Sequence, residues 1–90
     1  MPDLYLPLKR EYFQQIKSGE KTEEFRLAND YWANRIVGRQ YETIILTDGY
    51  PPKSDETRRI TRMWRGYRKT VITHPHFGPD PVEVYAIRVN

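Results

Sequence analysis

Leu4-Tyr5-Leu6 alternates sides ahead of Pro7, which predicts a short first strand closed by the proline. Over residues 9–18 the apolar positions Tyr12, Phe13 and Ile16 fall at helical spacing, while Glu11, Gln14, Gln15 and Lys17 take the polar face. Gly19 supplies the left-handed stop. Residues 21–27 return to strict alternation. Thr22, Glu24 and Arg26 share one side of a strand and Glu23, Phe25 and Leu27 the other, so whichever side turns inward carries charge with it. Asn29 or Asp30 then caps a second short helix bearing Tyr31, Trp32 and Ile36, and Gly38 marks its end.

Residues 41–48 read as a strand closed by Gly49-Tyr50-Pro51-Pro52, with a surface loop to Glu56. Residues 59–64 and 67–73 carry β-favouring side chains on either side of Gly66, predicting a hairpin or bulged strand pair across residues 58–69. Ile60, Met63, Trp64 and Tyr67 also recur at helical spacing, the competing reading of this stretch. Three prolines in residues 74–81 forbid a ladder there, and residues 82–89 form the closing strand. Five or six short strands with two short helices near the N-terminus predict a single α+β domain over residues 1–90. No helix separates the later strands, which favours a small, partly closed barrel over a βαβ fold.

A chain of 90 residues has room for one small core, and seven tyrosines, two tryptophans and three phenylalanines are available to fill it. The absence of cysteine removes disulfides and thiolate zinc sites. No apolar run approaches the roughly 20 residues that span a bilayer. The N-terminal segment lacks the apolar stretch of a signal peptide, so a cytoplasmic protein is the expectation. The net charge is only +3, but it is uneven: residues 53–69 hold seven basic side chains against Asp55 and Glu56. Interleaving of those arginines with Trp64 and Tyr67 is the mixture that tracks phosphates and stacks bases; a solvated, arginine-rich strand pair is the alternative.

The most informative segment is Gly19-Glu20-Lys21-Thr22-Glu23-Glu24-Phe25-Arg26, which fits G-x-K-x-x-E-x-R directly after an amphipathic helix. Together with Tyr12-Phe13, Ile16-Lys17-Ser18, Gly49-Tyr50, Trp64-Arg65-Gly66-Tyr67 and residues 74–78, it resembles the ASCH domain family, most closely its compact bacterial and phage type. The resemblance implies a PUA-like β-barrel, an association with RNA, and a cleft between barrel and helices where the motif residues gather. Some family members resemble amidohydrolases that deacetylate N4-acetylcytidine with a lysine, a threonine and a glutamate. Lys21 matches that lysine, but Glu24 stands where G-x-K-x-x-T has its threonine. Other members resemble metal-assisted ribonucleases.

The expected function is therefore binding of RNA or a nucleotide, with Lys21, Glu24 and Arg26 lining a pocket. Arg59, Arg62, Arg65 and Tyr67 would form its basic rim. The alternatives are a small hydrolase using Lys21 as base with Glu24, and a protein-interaction module whose arginines meet an acidic partner. Lys21, Glu24 and Arg26 can equally form an internal ion-pair network bracing helix against barrel. His74 and His76 flank Pro75 and could share a divalent metal, but no third strong ligand accompanies them, and structural histidines are the expectation. No cofactor is expected.

Overall fold

The computed structural model describes residues 2–90. Its order is β1 (Asp3–Leu8), α1 (Arg10–Lys17), β2 (Glu23–Leu27), α2 (Asp30–Ile36), β3 (Thr43–Asp48), β4 (Arg59–Met63), β5 (Tyr67–Ile72) and β6 (Val82–Arg88). Short 3-10 turns at Glu56–Arg58 and Pro75–Phe77 precede β4 and β6. The α+β class and the number of elements are as the sequence predicts. The strands divide into two three-stranded sheets, β1-β3-β4 and β2-β6-β5. No helix among the described residues is long and apolar enough to cross a membrane.

Several boundaries differ from the sequence expectation for identifiable reasons. β1 runs through Pro7 to Leu8. It lies at the edge of its sheet, paired in parallel with β3 alone. The Pro7 carbonyl faces away from β3 and accepts from Arg26 at 2.9 Å. In a strand the N–H and C=O of one residue point the same way, so the missing proline N–H falls on the unpaired side and costs the ladder nothing. β2 begins at Glu23, leaving Lys21 and Thr22 in the turn before it.

The larger correction concerns residues 58–69, which do not form a hairpin. β4 pairs antiparallel with β3 and β5 pairs antiparallel with β6, in different sheets. The Trp64 N–H donates to the Glu42 carbonyl at 2.8 Å, which keeps the end of β4 on the β3 side, and its indole packs on the core. Gly66, at φ +84°, then turns the chain so that β5 joins β6.

Leu4, Leu6 and Leu8 of β1 and Ile44 and Leu46 of β3 supply one wall of the core. Phe13 and Ile16 of α1 and Ile36 of α2 cover it, and Ile60 of β4 with Tyr85 and Ile87 of β6 complete it. The Asn29 side chain caps α2 by accepting from the Trp32 N–H at 3.0 Å. Gly19, at φ +86°, ends α1 and sends the chain back toward β2.

Phe13 is 1% exposed at the centre of this packing. Its replacement by alanine should destabilise the fold by about 3–5 kcal/mol, read as a lower midpoint in urea at unchanged slope.

Candidate functional site

Where the edge of one sheet meets the edge of the other, β2 and the turn before it bring three charged side chains together beside β1. Glu24 is only 5% exposed. The Arg26 Nη1 donates to its Oε2, and the Lys21 Nζ lies 3.5 Å from its Oε1. Arg26 is further committed: Nη1 donates to the Phe25 carbonyl and Nη2 to the Pro7 carbonyl, each at 2.9 Å. One guanidinium thus spans β2 and β1. Alternation along β2 places Glu24 and Arg26 on the same side, so the expectation that they share a cleft and pair with each other holds.

Lys21 is positioned by backbone rather than by its own strand. Its N–H donates to the Gln15 carbonyl at 3.0 Å, and its carbonyl accepts from the Asn90 side-chain amide at 2.8 Å. The same amide donates to the Ile16 carbonyl at 2.9 Å, tying the end of α1 to the turn that carries the lysine. The ammonium then sits 5.1 Å from the centre of the Tyr12 ring and 4.8 Å from that of Phe25.

The three charged groups form the floor of a cleft of about 600 Å³. Half-buried aromatic rings of Tyr12, Phe25, Trp32 and Phe77 make its walls, with His74 beside them. At the exposed mouth stand Lys9, Arg35, Tyr31, Tyr50 and His76. The Arg26 guanidinium lies 5.3 Å from the Trp32 ring centre, and that of Arg35 lies 3.7 Å from the Tyr31 ring centre. Burial, with the negative charges of Glu11 and Glu24, raises the Tyr12 pKa, so its phenol remains a neutral donor. Glu24 is the one carboxylate lining this space among the described residues, against four Lys and Arg side chains.

The sequence pointed to Lys21, Glu24 and Arg26 but not to the walls. Tyr12, Trp32 and Arg35 were legible only as helix positions, and the cue was that α2 presents Tyr31, Trp32 and Arg35 within one turn and a half. His74 comes to the cleft wall and His76 to its mouth. The His74 Nδ1 accepts the His76 backbone N–H at 3.1 Å and caps the 3-10 turn at Pro75–Phe77. Both imidazoles stand edge-on to Tyr12, with ring centres 5.8 and 6.1 Å away. Among the described residues no three His, Cys, Asp or Glu side chains converge as metal ligands.

The expected basic rim lies elsewhere. None of Arg59, Arg62, Arg65 and Tyr67 lines the cleft. Arg59 donates to the Pro51 and Pro52 carbonyls, each at 3.1 Å, and pins the loop before β4. Arg62 reaches the Asn90 side-chain oxygen at 3.3 Å. Arg65 and Tyr67 line a separate shallow groove with Glu23, Gly66, Arg68, Ala86 and Arg88. There Arg68 forms a two-pronged pair with Glu23, at 2.9 and 3.0 Å. The hairpin geometry required to bring these residues to the cleft is absent because β4 and β5 belong to different sheets.

Thr22, the hydroxyl nearest Lys21 in sequence, is exposed and outside the cleft lining, and no serine, threonine or cysteine lines the cleft among the described residues. Comparison of this chain with protein-family models, with curated proteins and with solved structures finds no match.

Replacing Glu24 with alanine leaves Lys21 and Arg26 without their counter-charge in a largely buried place. Stability should fall by about 1–3 kcal/mol or more, and Glu24→Gln should cost less, both measured by urea unfolding. Acid should act separately at Glu23, whose pKa is held below the ordinary carboxylate value chiefly by its hydrogen bonds to Arg68. A carboxylate depressed in the folded state contributes stability above its unfolded pKa and loses it as pH falls through the folded value. The acid limb of the stability–pH curve should therefore be shallower in Glu23→Gln, a small effect because Arg68 is largely exposed.

Proposed function

We propose that this chain is an RNA- or nucleotide-binding domain, and that its two sheets are the halves of a partly open PUA-like barrel of the ASCH kind. Two contacts support the barrel reading: Arg26 links the β1 and β2 edges, and the turn at Gly66 carries β4 directly into β5. The observation that carries the functional reading is the buried Glu24 carboxylate, held between Lys21 and Arg26 under aromatic walls. Such a floor offers both an acceptor and donors to the edge of a base, while the rings accept its faces. Lys9 and Arg35 at the mouth have no acidic partner among the described residues and are free to meet a phosphate.

The hydrolase alternative draws on one observation, the 3.5 Å approach of the Lys21 ammonium to Glu24. It uses no threonine, since Thr22 is outside the cleft lining. Incubation with single-stranded RNA or N4-acetylcytidine, followed by chromatography, separates an enzyme from a binder by the presence of product.

Nucleoside 5′-monophosphates titrated into the protein by calorimetry should bind wild type with a preference for one base. Lys21→Ala should abolish most of that preference. Trp32→Leu should lose about 1–3 kcal/mol of affinity through the lost ring surface. Equal binding by wild type and both variants, with folding verified by circular dichroism, would remove the cleft from the account.

A further inference from the structure

The shallow groove around Arg65, Arg68 and Arg88 is not remote from the cleft, because a single row of residues across the sheet connects them. Phe25 of β2 lies directly opposite Ala86 of β6, and Ala86 lies directly opposite Arg68 of β5. Residues paired in this way share one face of the sheet. Phe25 forms a wall of the cleft, whereas Ala86 and Arg68 belong to the groove. The backbones of Phe25 and Arg68 are thus two strand spacings, about 10 Å, apart. The residue between them is an alanine, 1% exposed beneath its larger neighbours, so its own side chain adds little height to the sheet.

The next row is Glu23 opposite Arg88, with the Arg88 N–H donating to the Gly66 carbonyl at 3.2 Å. Three arginines therefore face one carboxylate in the groove. Glu23 is taken up by Arg68 and the Arg88 Nε donates to the Asn90 carbonyl at 2.7 Å, while neither Arg65 nor Arg88 has an Asp or Glu partner among the described residues. Arg65 and Arg68 are exposed, which suits cations that track a backbone rather than read an edge.

We infer that the Arg65–Arg68–Arg88 groove holds the sugar–phosphate backbone of a single-stranded polynucleotide whose base, one short step away, enters the cleft beyond Phe25. This rests on the nucleotide reading of the cleft and narrows it, making the ligand a residue within a strand rather than a free nucleotide. Glu23 is the restraint in the groove: it holds the Arg68 fork in place and offsets one positive charge.

Fluorescence anisotropy with labelled RNA and DNA strands of about eight nucleotides, run at several salt concentrations beside nucleoside 5′-monophosphates, tests the inference. The strands should bind wild type roughly tenfold or more tightly than the monophosphates, with a salt-dependent affinity. Arg65→Gln, Arg68→Gln and Arg88→Gln should each flatten the slope of log affinity against log salt by about 0.7 and leave monophosphate binding unchanged. Glu23→Gln should tighten strand binding. Strands that bind no better than monophosphates, or a slope untouched by the arginine variants, would overturn the groove while the cleft stands. Strand binding with the expected slope and unaffected by Lys21→Ala, together with no monophosphate binding, would sink the cleft reading and keep the groove. A polyglutamate peptide binding as tightly as the strands, with equal loss in the arginine variants, would assign the groove to an acidic protein and overturn the proposal. RNA against DNA decides which polynucleotide it serves.

Discussion

The contact on which this molecule depends is the one between Arg26 and its three acceptors. A guanidinium has a fixed planar fork of five N–H donors, and three of them are engaged here: one nitrogen meets the Glu24 carboxylate and the Phe25 carbonyl, another the Pro7 carbonyl. The last of these crosses from the sheet β2-β6-β5 to the sheet β1-β3-β4. Backbone pairing does not bridge the two sheets at this edge, so side-chain charge does it instead. Glu24 makes the arrangement affordable, since a buried arginine without a counter-charge would oppose folding by several kcal/mol. The same carboxylate engages Lys21, and the floor of the cleft is thus a by-product of how the sheets are joined.

That coupling explains why the cleft floor is polar and why its charged groups are each held by several partners. Lys21 is fixed from behind by Gln15 and Asn90, from the front by Glu24, and on its flanks by the rings of Tyr12 and Phe25. These partners come from three stretches of the chain: α1, β2 and the residue Asn90. A ligand meeting this lysine meets a group whose direction is already set, so little ordering remains to be done on binding. Lys9 and Arg35 at the mouth are exposed and have no such restraint, which suits contact with a mobile phosphate.

How much of this was legible in the sequence depended on the range of the interactions involved. The α1 stripe of Tyr12, Phe13 and Ile16, its stop at Gly19, a cap at Asn29 or Asp30 and a strand over residues 41–48 rest on local rules; the structure has the stripe and the stop, uses Asn29 as the cap and starts the strand at Thr43. The pairing of Glu24 with Arg26 was also local, because two residues of one strand two apart must share a side. What failed was the choice of strand partners. Residues 58–69 look like a hairpin because Gly66 sits between two β-favouring runs, yet Trp64 is held by Glu42, more than twenty positions earlier. No local rule encodes that contact. For the same reason Arg59 and Arg62 could be seen as basic but not as already occupied by Pro51, Pro52 and Asn90. Arg88 lies outside the basic run, and only the pairing of β6 sets it beside Arg65 and Arg68.

Pro7 has an effect that reaches beyond a single molecule. β1 is an edge strand, and an exposed edge of unpaired N–H and C=O groups is a template onto which a second chain can add a strand of its own. On the outward side of β1 the proline has no hydrogen to offer, and its carbonyl is already taken by Arg26. The edge beside the cleft is therefore closed to intermolecular sheet growth at that position, a safeguard against self-association built from one imino acid and one guanidinium.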